Sequence, residues 1–418
     1  MKQLFVTFFL TIIFIACMNV QPALALEENI PVFIDGLPVS LDVPPAMQNG
    51  RILVPFRAIA EALNVEVNWD GKTQKISAAA GEDRIELTIG SKTAYHNLTP
   101  ILLDVGPQII DGRTLIPLRF FGTALGCTVN WVENSREVQI SSPPTKMYVT
   151  AFYALGDSRT SSWTDLFGLP YPESAKGNTD IVGTLSLGWY SLDKDGNLLT
   201  ESSTGWKRPE GWENVLLAAE KYALETEMVI HVTDADGTIS SLLASEEAMN
   251  RAIAAIIKEA EMYGGVNLNF EGLGLSQRGE KLSAVQDKFT FFVTMLSGQL
   301  RKIEKDLTLT VHPLNSEYKG YDYGGLAQAA GRIIIMAYDY GPKPEPINLV
   351  RQAVEAAKSY VPSEKLLLGI SIPYETPVSI APKIGLAKRY NLGGIALWRL
   401  GVISGETWDV LRLMVQKK

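Results

Sequence analysis

The chain has 418 residues, 46% of them hydrophobic, and a formal net charge of -8 at pH 7. That length exceeds one ordinary core, so two domains are expected. The mildly acidic balance gives no electrostatic footprint for nucleic acid, yet leaves a cell wall or a polysaccharide open as partner.

The chain opens with Lys2, an almost continuously apolar run from Leu4 to Cys17, and the small-residue site Ala23-Leu24-Ala25. This is the three-part layout of a secretory signal peptide, so residues 1–25 are expected to be removed and the protein to leave the cytoplasm. The apolar run is short for a spanning helix, which needs about 20 residues. A competing reading takes Phe14-Ile15-Ala16-Cys17 as a lipoprotein site with Cys17 lipidated, although Phe is unusual at its first position. After cleavage only Cys127 remains, which excludes an internal disulfide and leaves stability to core burial. Its apolar neighbours make Cys127 a core residue rather than a reactive one.

Residues 29–142 contain an internal duplication. Gly50-Arg51-Ile52-Leu53-Val54-Pro55-Phe56-Arg57 recurs as Gly112-Arg113-Thr114-Leu115-Ile116-Pro117-Leu118-Arg119, Ala62-Leu63 as Ala124-Leu125, and Val67-Asn68-Trp69 as Val129-Asn130-Trp131. A constant offset through every pair argues against chance. Each unit is expected to form a short strand, a helix opening near Pro55 or Pro117, and a β-hairpin, with Asp70-Gly71 supplying the first hairpin turn. On these residues the region resembles the copper amine oxidase N-terminal-like domain common in secreted proteins of spore-forming bacteria. No copper site is expected, because His96 is the only histidine there and copper favours imidazole clusters. Trp69 and Trp131 could stack on sugar rings, but their equivalent places in two repeats point to core packing.

Residues 143–146 are expected to be a stiff linker following Ser141-Ser142-Pro143-Pro144-Thr145. From Met147 the pattern becomes apolar strands alternating with amphipathic helices. The strands are expected at Tyr148–Tyr153, Ile181–Trp189, Met228–Thr233, Val266–Phe270, Leu307–Val311, Ile333–Tyr338, Leu366–Ile372 and Gly394–Trp398, with helices such as Ser245–Tyr263, Ala284–Lys305 and Ile347–Tyr360 between them. Eight strands with intervening helices define the fold class as α/β: a (β/α)8 TIM barrel over 147–418, preceded by a small duplicated α+β domain. Active sites of this fold sit at the C-terminal strand ends.

The fourth strand carries the chemistry. In Gly264-Gly265-Val266-Asn267-Leu268-Asn269-Phe270-Glu271, alternation puts Asn267, Asn269 and Glu271 on one face and Val266, Leu268 and Phe270 on the other. A charged Glu there is costly to bury unless paired or used. The sixth strand end supplies Met336-Ala337-Tyr338-Asp339-Tyr340 and the eighth Ala396-Leu397-Trp398-Arg399. Carboxylates, a phenol and an indole around one mouth suit a sugar ring, the indole as flat apolar floor and the polar groups reading hydroxyls and amides. Tyr153 and Trp189, ending the first two strands, either line this cleft or belong to the core.

These three motifs resemble glycoside hydrolase family 18, the chitinase-like family, and within it the YaaH-type spore and peptidoglycan hydrolases. The family pattern is D-G-x-D-x-D-x-E on the fourth strand, Met-x-Tyr-Asp on the sixth and Trp on the eighth. The resemblance implies substrate-assisted, retaining hydrolysis, in which the substrate's own N-acetyl oxygen attacks the anomeric carbon. It makes Glu271 the general acid, Tyr338 the hydroxyl on the acetamido group, Asp339 its pocket neighbour and Trp398 the floor where the ring distorts. It also implies a partner: an N-acetylglucosamine-containing polysaccharide of cell wall or spore envelope.

The departures from the pattern are Gly264, Asn267 and Asn269 in place of its three Asp residues. Asn269 can accept an acetamido N–H but supplies no negative charge, so the electrostatic part of the assistance is lost. Asn267 is expected in the polar barrel interior. Glu271 has the alternative of a structural ion pair, with Arg399 as a candidate partner. No cofactor is expected: there is no phosphate-cradling glycine loop and no nucleophile elbow. Nor is a metal, since His231 and His312 lie on different strands with no acidic partner at ligand spacing. Two function classes follow, an exported glycosidase and a glycan-binding pseudoenzyme, with a structural envelope protein as a third.

Overall fold

The computed structural model describes residues 25–26, 30–153, 161–202 and 204–418. The leader and Cys17 therefore lie outside the described residues. No helix among the described residues is long and apolar enough to cross a membrane.

The N-terminal region folds as the duplication predicts. Strands Arg51–Pro55 and Arg113–Pro117 run antiparallel, and the equivalent residues Val54 and Ile116 pair with each other, so a local twofold passes between the repeats. Pro55 and Pro117 each immediately precede a short helix, Phe56–Ala62 and Leu118–Ala124. The hairpins Glu66–Asp70/Lys75–Ala80 and Thr128–Val132/Glu137–Ser141 follow. The first hairpin turn differs from the expected tight Asp70-Gly71 turn. It spans Gly71 to Gln74, with Gln74 in the left-handed region at φ 54°, and the Asp70 carboxylate accepts from the Lys72 amide at 2.9 Å and the Thr73 hydroxyl at 2.7 Å.

Phe56 and Phe121 meet edge-on at 4.9 Å in the core beneath both helices. Cys127 is buried there, and burial pushes its thiol up to about 11, so it stays an unreactive thiol. The two tryptophans depart from expectation. Trp69 is 40% and Trp131 36% exposed: each shares a face with its buried cross-strand partner, Ile76 or Val138, but stands on an edge strand that nothing covers fully. Equivalent positions reflect the twofold here, not burial.

Eight parallel strands close into a barrel: β1 Thr145–Tyr153, β2 Thr184–Leu192, β3 Glu225–Thr233, β4 Gly265–Glu271, β5 Asp306–Val311, β6 Arg332–Ile335, β7 Leu366–Ser371 and β8 Gly394–Trp398. The pairing of β1 with both β2 and β8 removes any free edge. Helices Glu246–Ala260, Gly279–Lys302, Ile347–Lys358 and Pro377–Arg389 pack outside. Ser245 caps the first by accepting from the Ala248 amide, which removes an orphan donor worth about 1 kcal/mol.

Strand β6 is shorter than the apolar run implied. Beyond Ile335 the chain leaves the ladder, and Asp339 adopts a left-handed φ of 64°. Buried Glu345 holds this segment over the barrel mouth by accepting from the Asp339 amide at 2.9 Å and the Tyr340 amide at 3.2 Å.

The junction with the barrel is polar and close. Lys388 lies 3.3 Å from the Asp35 carboxylate and donates to the Pro143 carbonyl at 3.0 Å, while Arg389 donates to the Pro38 carbonyl at 2.9 Å. A Cβ on Gly385 would come within 2.4 Å of the Asp35 carbonyl oxygen, so only glycine allows helix Pro377–Arg389 to seat this close.

Candidate active site

Strand β4 alternates as the residue pattern requires. Phe270 faces outward and stacks on Phe289 and Phe292 at 5.9 and 5.7 Å, while Asn267, Asn269 and Glu271 face inward in ascending layers. At the lowest layer Asn267 is fully buried, donating to Glu227 at 3.2 Å and accepting from the Thr310 hydroxyl at 2.8 Å. One layer up, the Asn269 amide donates to Glu271 Oε1 at 2.9 Å, and its own oxygen Oδ1 is buried with no partner.

Glu271 ends the strand at the mouth, where His231 Nε2 lies 3.4 Å from its Oε1. The imidazole comes from β3, whose register sets His231 beside Asn269. Burial works to raise the Glu271 carboxyl. The hydrogen bond and charge of His231, with His312 and the Asn269 amide, outweigh it and hold the group below the usual carboxylate range. His312 itself is lowered, by burial first, against the pull of Glu271 and Asp339. The partners of Glu271 are thus His231 and Asn269, while Arg399 donates to the Leu400 carbonyl.

Tyr338 leans over β7 where Gly369 leaves room: a Cβ there would lie 3.2 Å from the ring. Burial, with Glu271 and Asp339 nearby, raises its hydroxyl well above the ordinary value, so it remains a protonated donor. Asp339 has a largely exposed side chain 3.4 Å from Lys343 Nζ. Tyr153 is buried and meets Trp189 edge-on at 6.2 Å. A cleft of about 490 Å³ opens beside Glu271, lined among others by Thr233, Asp234, Ser240, Gln277, His312 and Tyr318, and it is large enough for sugar rings. No cluster of three His, Cys, Asp or Glu residues suited to a metal occurs among the described residues.

Trp398 is covered. Phe152 packs against it edge-on at 5.2 Å, and Trp206 stacks on it at 4.9 Å with 25° between planes. Trp206 belongs to a small hairpin closed by the Glu201–Lys207 bridge, and its ring fills the space over Gly188, where a Cβ would come within 1.9 Å. The same hairpin reaches the acid through Thr204, whose hydroxyl is 3.3 Å from His231 Nδ1.

Sequence reasoning left Trp206 and Glu345 unnamed and weighed His231 only as a metal ligand, missing its contact with Glu271. The period-2 face Glu227, Val229, His231 on β3 was a usable signal for His231. Trp206 and Glu345 gave none, since loop residues carry no periodicity.

The face of Trp398 on which Trp206 stacks opens to a sugar when Trp206 is displaced. Trp206→Ala is therefore expected to tighten binding of N-acetylglucosamine oligomers by about two- to tenfold, the equivalent of one aromatic pair at about 0.5–1.5 kcal/mol. Gly188→Ala should act the same way while keeping the indole. Weaker binding in Trp206→Ala, measured by calorimetry, would make Trp206 part of the sugar platform instead.

The fold is a chitinase-like (β/α)8 barrel set behind a duplicated sheet domain. Residues 33–140 match the family described as copper amine oxidase N-terminal domain. The chain is 32% identical over 139 residues to the Bacillus subtilis protein named "Putative sporulation-specific glycosylase YdhD", which covers 29% of this chain and 31% of that one. It spans only 31% and 40% of the length of the two curated relatives it matches. Among solved structures, the Bacillus cereus spore cortex-lytic enzyme SleL shares the barrel with a TM-score of 0.53 at 17% identity, covering 66% of this chain and 76% of that one. A chitinase from Chromobacterium violaceum does so with a TM-score of 0.52 at 17% identity, covering 64% and 98%.

Proposed function

We propose that this protein is an exported glycosidase acting on β-1,4-linked N-acetylglucosamine glycans of spore cortex, peptidoglycan or chitin. Glu271 is the general acid, Tyr338 holds the acetamido group, Trp398 is the ring floor once Trp206 moves, and the substrate's N-acetyl oxygen is the nucleophile. The product retains its configuration. The observation that carries this reading is the Glu271 carboxylate at the end of β4, which lines a sugar-sized cleft and lies near the buried Tyr338. Relatives named as a sporulation glycosylase and a spore cortex-lytic enzyme support the choice of glycan and a place in the cell envelope or spore.

One observation favours a second reading, a glycan-binding pseudoenzyme. Asn269 donates to Glu271, which favours the ionised carboxylate, whereas a general acid must start protonated. Because the carboxyl is depressed, its protonated fraction is small at neutral pH and grows as pH falls. Cleavage is thus expected to rise about tenfold per unit of pH decrease until the Glu271 pKa is reached.

The deciding experiment incubates the protein with cortex fragments and N-acetylglucosamine oligomers from pH 4 to 8 and follows product release. Release that rises toward acid and disappears in Glu271→Gln is the result expected of the enzyme. Binding without release at any pH moves the assignment to the pseudoenzyme.

A further inference from the structure

The N-terminal domain carries a feature independent of the barrel. Its twofold builds two equivalent surface grooves, each assembled from both repeats. In the first, of about 500 Å³, the Pro55-Phe56-Arg57 corner and the exposed Trp69 face Arg113 of the other repeat. In the second, of about 300 Å³, Pro117-Leu118-Arg119 and the exposed Trp131 face Arg51. The crossed arginine is held alike in both. Arg113 donates to the Asp42 carboxylate, and Arg51 donates to the Asp104 carboxylate at 2.6 Å. Asp42 and Asp104 stand at the duplication's own offset, inside the repeated Leu-Asp-Val at 41–43 and 103–105.

An exposed indole beside an Arg–Asp pair is costly on a surface and unnecessary for packing, since the core is already closed by Phe56, Phe121 and their neighbours. Arg57 and Arg119 add a planar set of donors with no hydrogen bond or ion pair among the described residues. Flat apolar face, Arg–Asp pair and free guanidinium are complementary to a pyranose ring that carries hydroxyls and a carbonyl or carboxylate acceptor. We propose that the two grooves are paired glycan-binding sites through which the N-terminal domain holds the chain on an insoluble polysaccharide. Two equivalent sites on one domain let it grip two strand segments and gain affinity by avidity.

The test uses the full chain in the Glu271→Gln background, with co-sedimentation on peptidoglycan sacculi and on chitin. Trp69→Ala and Trp131→Ala are each expected to weaken retention by about tenfold, and the double variant by about a hundredfold or more, as lost avidity requires. Thermal unfolding checks that each variant is folded, and a Trp398→Ala control measures retention owed to the barrel. Retention on both polymers supports recognition of the pyranose face. Retention on sacculi alone, lost also in Arg57→Ala/Arg119→Ala, supports recognition through the acidic groups. A folded double variant held as tightly as the parent, or no retention of the parent beyond the barrel's share, would overturn the proposal. Because catalysis is silenced throughout, the result is independent of whether the barrel cleaves.

Discussion

Asn269→Asp is expected to raise kcat on N-acetylglucosamine oligomers by about a hundredfold, the worth of one preorganised charge at the reacting centre, on the order of 3 kcal/mol. Two effects act in the same direction. A carboxylate at 269 would face the positive charge that develops as the acetamido oxygen closes on the anomeric carbon, where the amide offers only a dipole. It would also reverse the bond to the acid. The present amide donates its N–H to Glu271 at 2.9 Å and so stabilises the ionised form. An Asp there has no proton to give unless the pair shares one, and two close carboxylates raise the pKa of one of them. Glu271 would then start protonated nearer neutral pH, and the alkaline limb of the rate profile should move upward. The buried Asn269 Oδ1, which has no partner, marks the cost of the present arrangement. A folded Asn269→Asp protein with the native rate and the native pH profile would sink this account and leave the cleft a binding site. The displacement of Trp206 is a separate step, so combining Trp206→Ala with Asn269→Asp should change KM and kcat independently.

The barrel was legible because parallel strands buried on both faces leave long apolar runs at regular spacing. Strand β8 was placed residue for residue, whereas β6 was drawn too long: Met336, Ala337 and Tyr338 are apolar or aromatic enough to extend the run, but the Ala337 and Tyr338 amides turn back onto the Ile335 and Met336 carbonyls instead of pairing across the sheet. The β4 face was legible from period 2 alone. What pairs with it was not, because His231 reaches Glu271 through the β3–β4 register and Trp206 reaches Trp398 from a loop some 190 positions away in sequence. In the N-terminal domain the duplication itself was plain, and the misplacement of Trp69 and Trp131 came from reading repetition as burial. Repetition records symmetry. Burial depends on place in the sheet, and each tryptophan stands on an edge strand beside a buried partner, Ile76 or Val138.

The largest stability effect is expected not at the mouth but two layers below it. Glu227 on β3 is buried inside the barrel, where it accepts from the Ser186 hydroxyl at 2.8 Å, the Thr308 hydroxyl at 2.5 Å and the Asn267 amide at 3.2 Å, and pairs with Arg332 at 3.3 Å. Four strands therefore meet on one carboxylate, β2 through Ser186, β4 through Asn267, β5 through Thr308 and β6 through Arg332. Such a cluster is stable only when complete, since each donor is desolvated whether or not its acceptor is present. Glu227→Ala leaves Arg332 with Glu225 at 3.9 Å as its remaining acidic partner and strands the three neutral donors. Breaking a buried pair in this way costs about 3–5 kcal/mol, so the Tm should fall by roughly 10 °C in a barrel of this size. Glu227→Gln keeps one carbonyl acceptor and should lose less. A double-mutant cycle with Arg332→Met separates the ion pair from the hydroxyl contacts. If Glu227→Ala melts within about 2 °C of the native chain, the cluster is not what holds β4 in register. The alignment of Asn269 and Glu271 above it would then rest on the outward packing of Phe270 against Phe289 and Phe292 alone.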